Sequence, residues 1–259
     1  MATQQEKAEA FRKLHQGKEA FVIPNPWDAG TAKLLADLGY KALATTSAGF
    51  AFSIGKSDGD AVIDRETTLA NFGTIVEATD RPVSADLQGG FGPKPEDAAA
   101  TIRGAGAVGL VGGSIEDASS DPAHPIYDIG HARERVAAAV EAARGLKFPF
   151  TLTARAENFL HGRADLADTI KRLQAFQEAG ADVLYAPGLK TREEIDAVVR
   201  AVDRPINVLM GARTNPLTVK DLSAIGVKRI SVGSGFYLAA LGAFQRAAEE
   251  MLERGTAGF

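Results

Sequence analysis

Residues 82–92 read PVSADLQGGFG, an apolar run that ends on Asp86 and then breaks into a turn carrying Gly89, Gly90 and Gly92. Glycine accepts backbone conformations closed to other residues and lets a ligand approach the main chain, so the stretch reads as a strand that finishes on a carboxylate. A carboxylate in that position can anchor a cation. The same kind of run recurs along the chain: FVIPNPWD at 21–28, KALATTS at 41–47, VGLVGGSIED at 108–117, FTLTARAE at 150–157, DVLYAPG at 182–188, RPINVLM at 204–210 and KRISVGS at 228–234. With residues 82–87 these make eight predicted strands, most of them separated by Ala- and Glu-rich helical stretches. Residues 28–40, DAGTAKLLADLGY, show apolar positions at helical spacing, and a further helix carrying Ala10, Phe11 and Leu14 precedes the first strand.

Several strands are preceded by a similar junction, DLGYKA, GAGAVG, EAGADV and IGVKRI. Glycine just past a helix C-terminus is a helix stop, so each junction leads from a helix into a strand. Strands alternating with helices imply parallel pairing through right-handed crossovers, and eight such units close most naturally into an α/β (β/α)8 TIM barrel. A doubly wound open sheet is the alternative. No linker or shift in composition divides the chain, so a single domain over residues 1–259 is expected. Two segments read as irregular loops, AGFAFSIGKSDGDAVIDR at 48–65 and DASSDPAHPIYDIG at 117–130. The last helix, within FYLAALGAFQRAAEEMLERG at 236–255, is apolar over most of its first half, which suits packing on its own barrel or an oligomer contact.

The chain has 259 residues, 45% of them hydrophobic and 24% charged, which are the proportions of a soluble globular protein. No uninterrupted apolar run reaches the length of a membrane span. The polar start MATQQEKAEAFRK shows no secretory signal, so a cytoplasmic location is expected. The absence of cysteine removes disulfides, thiolate metal sites and cysteine nucleophiles together. A net charge of −4 without a basic run argues against a nucleic-acid partner and leaves small-molecule chemistry.

In a barrel, Ser47, Asp86, Glu116, Arg155 with Glu157, Asn207 and Ser234 all fall at strand ends that face one cavity. Each alone could be a helix cap or a structural ion pair; their convergence is the signal. Asp86 and Glu116 are hard oxygen ligands that suit Mg²⁺ with several waters retained. Zinc suits the chain poorly, because His15, His124, His131 and His161 lack ligand spacing. Arg155 would stabilise charge on a substrate oxygen, and Ser47, Ala48 and Gly49 form a small nest for a carboxylate.

NPWDAGTAKLL, TTSAGFA, ADLQGGFG, SIEDAS, TARAENFLHG and VGSGFYLAA occur in an order that resembles the isocitrate lyase/phosphoenolpyruvate mutase superfamily over nearly the whole chain. The resemblance implies a Mg²⁺-dependent barrel, with Mn²⁺ as a substitute ion. It also implies a homotetramer that exchanges its last helices and acts on 2-oxo or 2-hydroxy carboxylic acids through an enolate. It assigns Asp86 to the metal, Glu116 to metal-bound water, Arg155 to the enolate, Ser47 with Ala48 and Gly49 to the substrate carboxylate, and Asp58 to a mobile lid. Asn207 joins the substrate-binding set, and Gln88 stands beside Asp86 at the metal site.

The chain departs from the lyases at several points. Gln88 occupies the place of their second aspartate, DASSDPAHPIYD replaces their cysteine-bearing lid, YAPG at Tyr185–Gly188 replaces a glutamate-bearing segment, and NVLMG replaces an Asn-x-Thr. These changes resemble the cysteine-less, oxaloacetate decarboxylase-like branch. The expected activity is therefore carbon–carbon cleavage of a small 2-oxo acid, best represented by oxaloacetate decarboxylation, with His124 and Tyr127 as candidate proton donors. Phosphonopyruvate hydrolase or mutase chemistry, and 2-oxo acid binding with little catalysis, are the alternatives.

Overall fold

Each predicted strand is present in the computed structural model, which describes residues 2–58, 63–211 and 214–259. In chain order the elements are α1 (Gln4–Leu14), β1 (Phe21–Ile23), α2 (Ala29–Asp37), β2 (Leu43–Ala44), α3 (Ser47–Ser53), α4 (Arg65–Glu77), β3 (Val83–Asp86), α5 (Pro95–Ala107) and β4 (Gly112–Glu116). They continue with α6 (Ile129–Arg144), β5 (Thr151–Arg155), α7 (Leu166–Glu178), β6 (Val183–Tyr185), α8 (Arg192–Ala201), β7 (Ile206–Leu209), α9 (Val219–Ile225), β8 (Arg229–Ser231) and α10 (Gly235–Arg254). The strands are parallel and ordered β1-β8-β7-β6-β5-β4-β3-β2. A doubly wound sheet would place a reversal of order near its centre, and none occurs here. The Ala44 N–H donates to the Pro24 carbonyl at 3.0 Å, which brings β2 against the end of β1 and nearly closes a (β/α)8 TIM barrel.

The helices face the strands through apolar side chains. Phe72, Ile75, Ile102 and Phe150 fill one side of the annulus, and Leu173, Phe176, Ile195 and Val198 fill the other. Side chains alternate along each strand, so those that do not face the helices point into the barrel. That interior is polar, and Ser84, Ser114, Arg155, Tyr185, Asn207 and Arg229 line one cavity within it. Gly180 and Gly226 end their helices at φ 99° and 107°, a left-handed turn that a side chain would oppose.

One expectation changes and another narrows. Residues 48–65 are not wholly irregular, because Ser47–Ser53 is helical, begun by the Thr46 side chain accepting from the Gly49 N–H. Phe50 and Ala51 of this helix cluster with Ile63, and that burial draws the segment onto the barrel; residues 59–62 of the same stretch lie outside the described residues. The last helix does not cover its apolar face on its own barrel. It has no buried residue, and Phe244 is 71% exposed. Among the described residues no helix is long and apolar enough to cross a membrane.

Candidate active site

Parallel register sets the level of the site. Asp86 on β3 pairs with Ser114 on β4, and Glu116 at the end of β4 pairs with Arg155 at the end of β5. Three acidic groups therefore meet one guanidinium. Arg155 Nη1 donates to Asp86 Oδ1 at 2.8 Å and lies 3.1 Å from Glu116 Oε2, while Nε donates to Glu157 Oε1 at 2.8 Å. The Arg155 guanidinium carbon also lies 5.2 Å from the centre of the Tyr185 ring. Burial works against the arginine charge, but Glu116, Glu157 and Asp86 hold its pKa well above the usual value.

Glu157 is the most enclosed of the three acids, at 4% side-chain exposure. Burial raises its carboxyl to about 7, with Arg155 pulling it down and Asp117 pushing it up. Behind it, Asp117 Oδ1 accepts from the Glu157 N–H at 2.8 Å, and Asp117 Oδ2 pairs with Arg172 at 2.9 Å. A folded-state value above the ordinary 4.5 means that Glu157 favours the fold at low pH and loses that contribution as pH rises through about 7. Glu157→Gln is therefore expected to gain in Tm relative to wild type between about pH 5 and pH 8 in metal-free buffer. Parallel profiles would contradict this account.

The turn after β3 is held in an uncommon conformation. Gln88 and Phe91 have φ of 49° and 60°, values that side chains adopt rarely and at some cost. Arg135 on α6 is the restraint. It donates to the carbonyls of Gly89 and, at 2.7 Å, Gly92, it lies over the Tyr127 ring at 4.7 Å, and it is 1% exposed. Arg135 was not legible from the sequence, because a charge inside a helical repeat looks like surface. The available signal was its position among the alanines of α6.

The predicted residues do not all take their expected places. Ser47 donates its hydroxyl to Asp86 Oδ2 at 2.8 Å. Ser47 and Ala48 line the cavity, but Gly49 stands behind them, its N–H bonded to Thr46 Oγ1 at 3.2 Å. Gln88 lines the cavity and reaches Asp58 Oδ1 at 3.5 Å, which puts Asp58 on the rim. Asn207 lies within the barrel wall, its Oδ1 accepting from Arg229 Nε at 2.9 Å and its Nδ2 donating to Ser231 at 3.0 Å. Neither proton-donor candidate faces the cavity. His124 pairs with Asp121 at 3.0 Å with its side chain 81% exposed, and Tyr127 is packed between Arg135 and His131. His161, which the sequence reading considered only as a zinc ligand, lines the cavity instead.

The cavity above these groups measures about 640 Å³, enough for a small metabolite. Its donor set fits Mg²⁺, since two carboxylates converge on one cationic nitrogen, and this ion takes one or two carboxylates and keeps water in its other positions. Among the described residues no group of three or more His, Cys, Asp and Glu is arranged to hold a metal.

A family model described as phosphoenolpyruvate phosphomutase matches residues 11–252. The chain belongs to this family. Solved relatives, each 25% identical to this chain, include 2,3-dimethylmalate lyase, a member of the phosphoenolpyruvate mutase/isocitrate lyase superfamily, and oxaloacetate acetylhydrolase. The crystal structure of a candidate lyase/mutase from Burkholderia cenocepacia J2315 is 58% identical, covering 98% of this chain and 90% of that one with a TM-score of 0.95. An uncharacterised protein of Mycobacterium tuberculosis (strain ATCC 25618 / H37Rv) is 31% identical over 92% of this chain and 87% of its own length. Oxaloacetate decarboxylase of Paraburkholderia xenovorans (strain LB400) is 28% identical over 86% of this chain and 74% of its own length. Within this phosphoenolpyruvate mutase-family barrel, Gln88 supplies a neutral amide beside the acidic centre, and Arg135 fixes the turn that carries it.

Proposed function

We propose that this protein is a Mg²⁺-dependent carbon–carbon lyase for a small 2-oxo dicarboxylate, with oxaloacetate decarboxylation as the specific reaction. The observation that carries this reading is the convergence of Asp86 and Glu116 on one Arg155 nitrogen, at 2.8 and 3.1 Å, inside a cavity of metabolite size. The oxaloacetate decarboxylase relative supports the choice of substrate. Asp86 and Glu116 would hold Mg²⁺, Glu116 through water, and Gln88 would add a neutral oxygen nearby. The bound ion would supply Lewis-acid stabilisation of negative charge on oxygen.

The chain's own groups divide the remaining work. The Ser47 hydroxyl, turned from Asp86 Oδ2 towards the ligand, and the backbone at Ala48 orient the substrate carboxylate at the cavity wall. As the bond to the departing carboxylate breaks, its electron pair passes to the 2-oxo oxygen. The Arg155 guanidinium, held by Glu157 and the Tyr185 ring, is preorganised to stabilise that developing charge. CO₂ leaves, and a proton returned to carbon gives the shortened 2-oxo acid. Asp58 on the rim serves the closing lid.

A screen of 2-oxo and 2-hydroxy acids with and without Mg²⁺ tests this reading. It expects oxaloacetate to be consumed and pyruvate to form only with the ion. Turnover of phosphonopyruvate alone would replace the proposal with carbon–phosphorus chemistry, and tight 2-oxo acid binding without turnover would make the protein a binding protein. Gln88→Asp adds a negative charge at the metal side, so Mg²⁺ affinity should rise by about an order of magnitude. A titration of Tm against Mg²⁺ measures that change.

The uncovered apolar face of α10 supports exchange of the last helices in a homotetramer. Phe244 and Leu252, 71% and 87% exposed in one chain, would be covered by the partner subunits. Light scattering should give the mass of four chains, and Phe244→Asp should shift it to a smaller species.

A further inference from the structure

The acidic centre does not exhaust the cavity. The cavity extends down the barrel to Arg229 on β8, which is 6% exposed. Nε of this arginine is satisfied by Asn207 Oδ1 at 2.9 Å, but its buried Nη1 has no hydrogen-bond partner. No carboxylate of the described residues pairs with it. The titratable groups that act on Arg229 are Tyr185, Arg155 and His15, and none of them brings a negative charge at neutral pH. Tyr185 is buried, which raises its phenol above the usual range. His15 donates its Nδ1–H to the Phe11 carbonyl, 2.9 Å away, and burial lowers its pKa to about 3, so it stays neutral. Burial also lowers Arg229, to about 10, which leaves it charged at neutral pH.

A buried cation without a counter-charge is costly, and so is a buried donor without an acceptor. An anion held in the cavity that Arg229 lines would supply the missing counter-charge. Tyr185 links this lower cation to the upper centre, because Arg155 lies over its ring while its hydroxyl is turned to Ser231, two residues beyond Arg229. Arg155, Tyr185 and Arg229 thus line one cavity together.

We infer that Arg229, steadied by Asn207, is a second anion-binding position at the cavity floor that takes the distal carboxylate of a dicarboxylic ligand. The inference rests on the reading of the upper centre as an oxo-acid site and specifies that the ligand carries two separated acids. Asn207 is a positioning residue here, acting through Arg229.

The test compares Mg²⁺-dependent binding of oxalate, whose adjacent carboxylates require only the upper centre, with malonate and succinate and with their half-amides, malonamate and succinamate. Calorimetry on the full chain reads the affinities. Wild type should prefer at least one diacid over its half-amide by about tenfold to hundredfold, the scale of one charge-assisted hydrogen bond. Arg229→Gln should remove that preference and keep oxalate binding, while Arg229→Lys should restore part of it. Absence of the preference in wild type, or its survival in Arg229→Gln, overturns the inference, and the wild-type arm decides even if the glutamine variant does not fold. Loss of oxalate binding together with an Arg229-dependent preference would keep this anion position and instead overturn the reading of the upper centre.

Discussion

Arg155→Ala is expected to lower stability by about 3–5 kcal/mol, the usual cost of breaking a buried ion pair from one side. Turnover should fall at least about a hundredfold, the scale seen when one preorganised donor is removed from an active site. The first effect follows from the charges left behind. Asp86, Glu116 and Glu157 all lie within 3.1 Å of an Arg155 nitrogen, and their side chains are 21%, 13% and 4% exposed. Without the guanidinium, three poorly hydrated carboxylates would face one another, and protonation or a bound cation would be their only relief. Mg²⁺ should therefore raise the Tm of Arg155→Ala more than that of wild type, while kcat stays low. A variant as stable and active as wild type would show that the guanidinium neither stabilises the centre nor acts in the chemistry.

Asp86→Asn should abolish Mg²⁺-dependent turnover, by about a thousandfold or more, with a smaller change in stability. The asparagine preserves shape and can still accept from the Ser47 hydroxyl, which lies 2.8 Å from Asp86 Oδ2. It removes one negative charge from a pair of acids that together would hold the ion, and Gln88 adds none. Affinity for Mg²⁺, read as the ion-dependent rise in Tm, should drop in parallel with kcat/KM for oxaloacetate. If turnover fell while that rise persisted unchanged, the ion would be held elsewhere.

The acids of the site were legible from the sequence because each ends a strand: Asp86 closes VSAD and Glu116 closes GGSIE. A charge at the end of a buried run is conspicuous in one dimension. Arg135 and Arg229 were not legible as parts of the site. Arg135 acts on Gly89, 46 positions away, and Arg229 meets Asn207 through pairing of β7 with β8. Asn207 lines the cavity, but its hydrogen bonds are spent within the wall. The helix at Ser47–Ser53 was hidden because its seven residues are too few for a helical period to show.

By itself the sequence determined the alternation of eight strands with helices, and with it the barrel and the end of the barrel where the acids gather. Burial and backbone conformation impose those features locally, and so they leave a periodic trace. Tertiary structure alone decided that Arg155 binds three acids at once, that Arg135 holds the turn beside Gln88, and that Arg229 lies without a counter-charge at the cavity floor. Each depends on which side chains meet across strands and helices distant in the chain, and on how much water remains around them. Those quantities exist only once the barrel has closed.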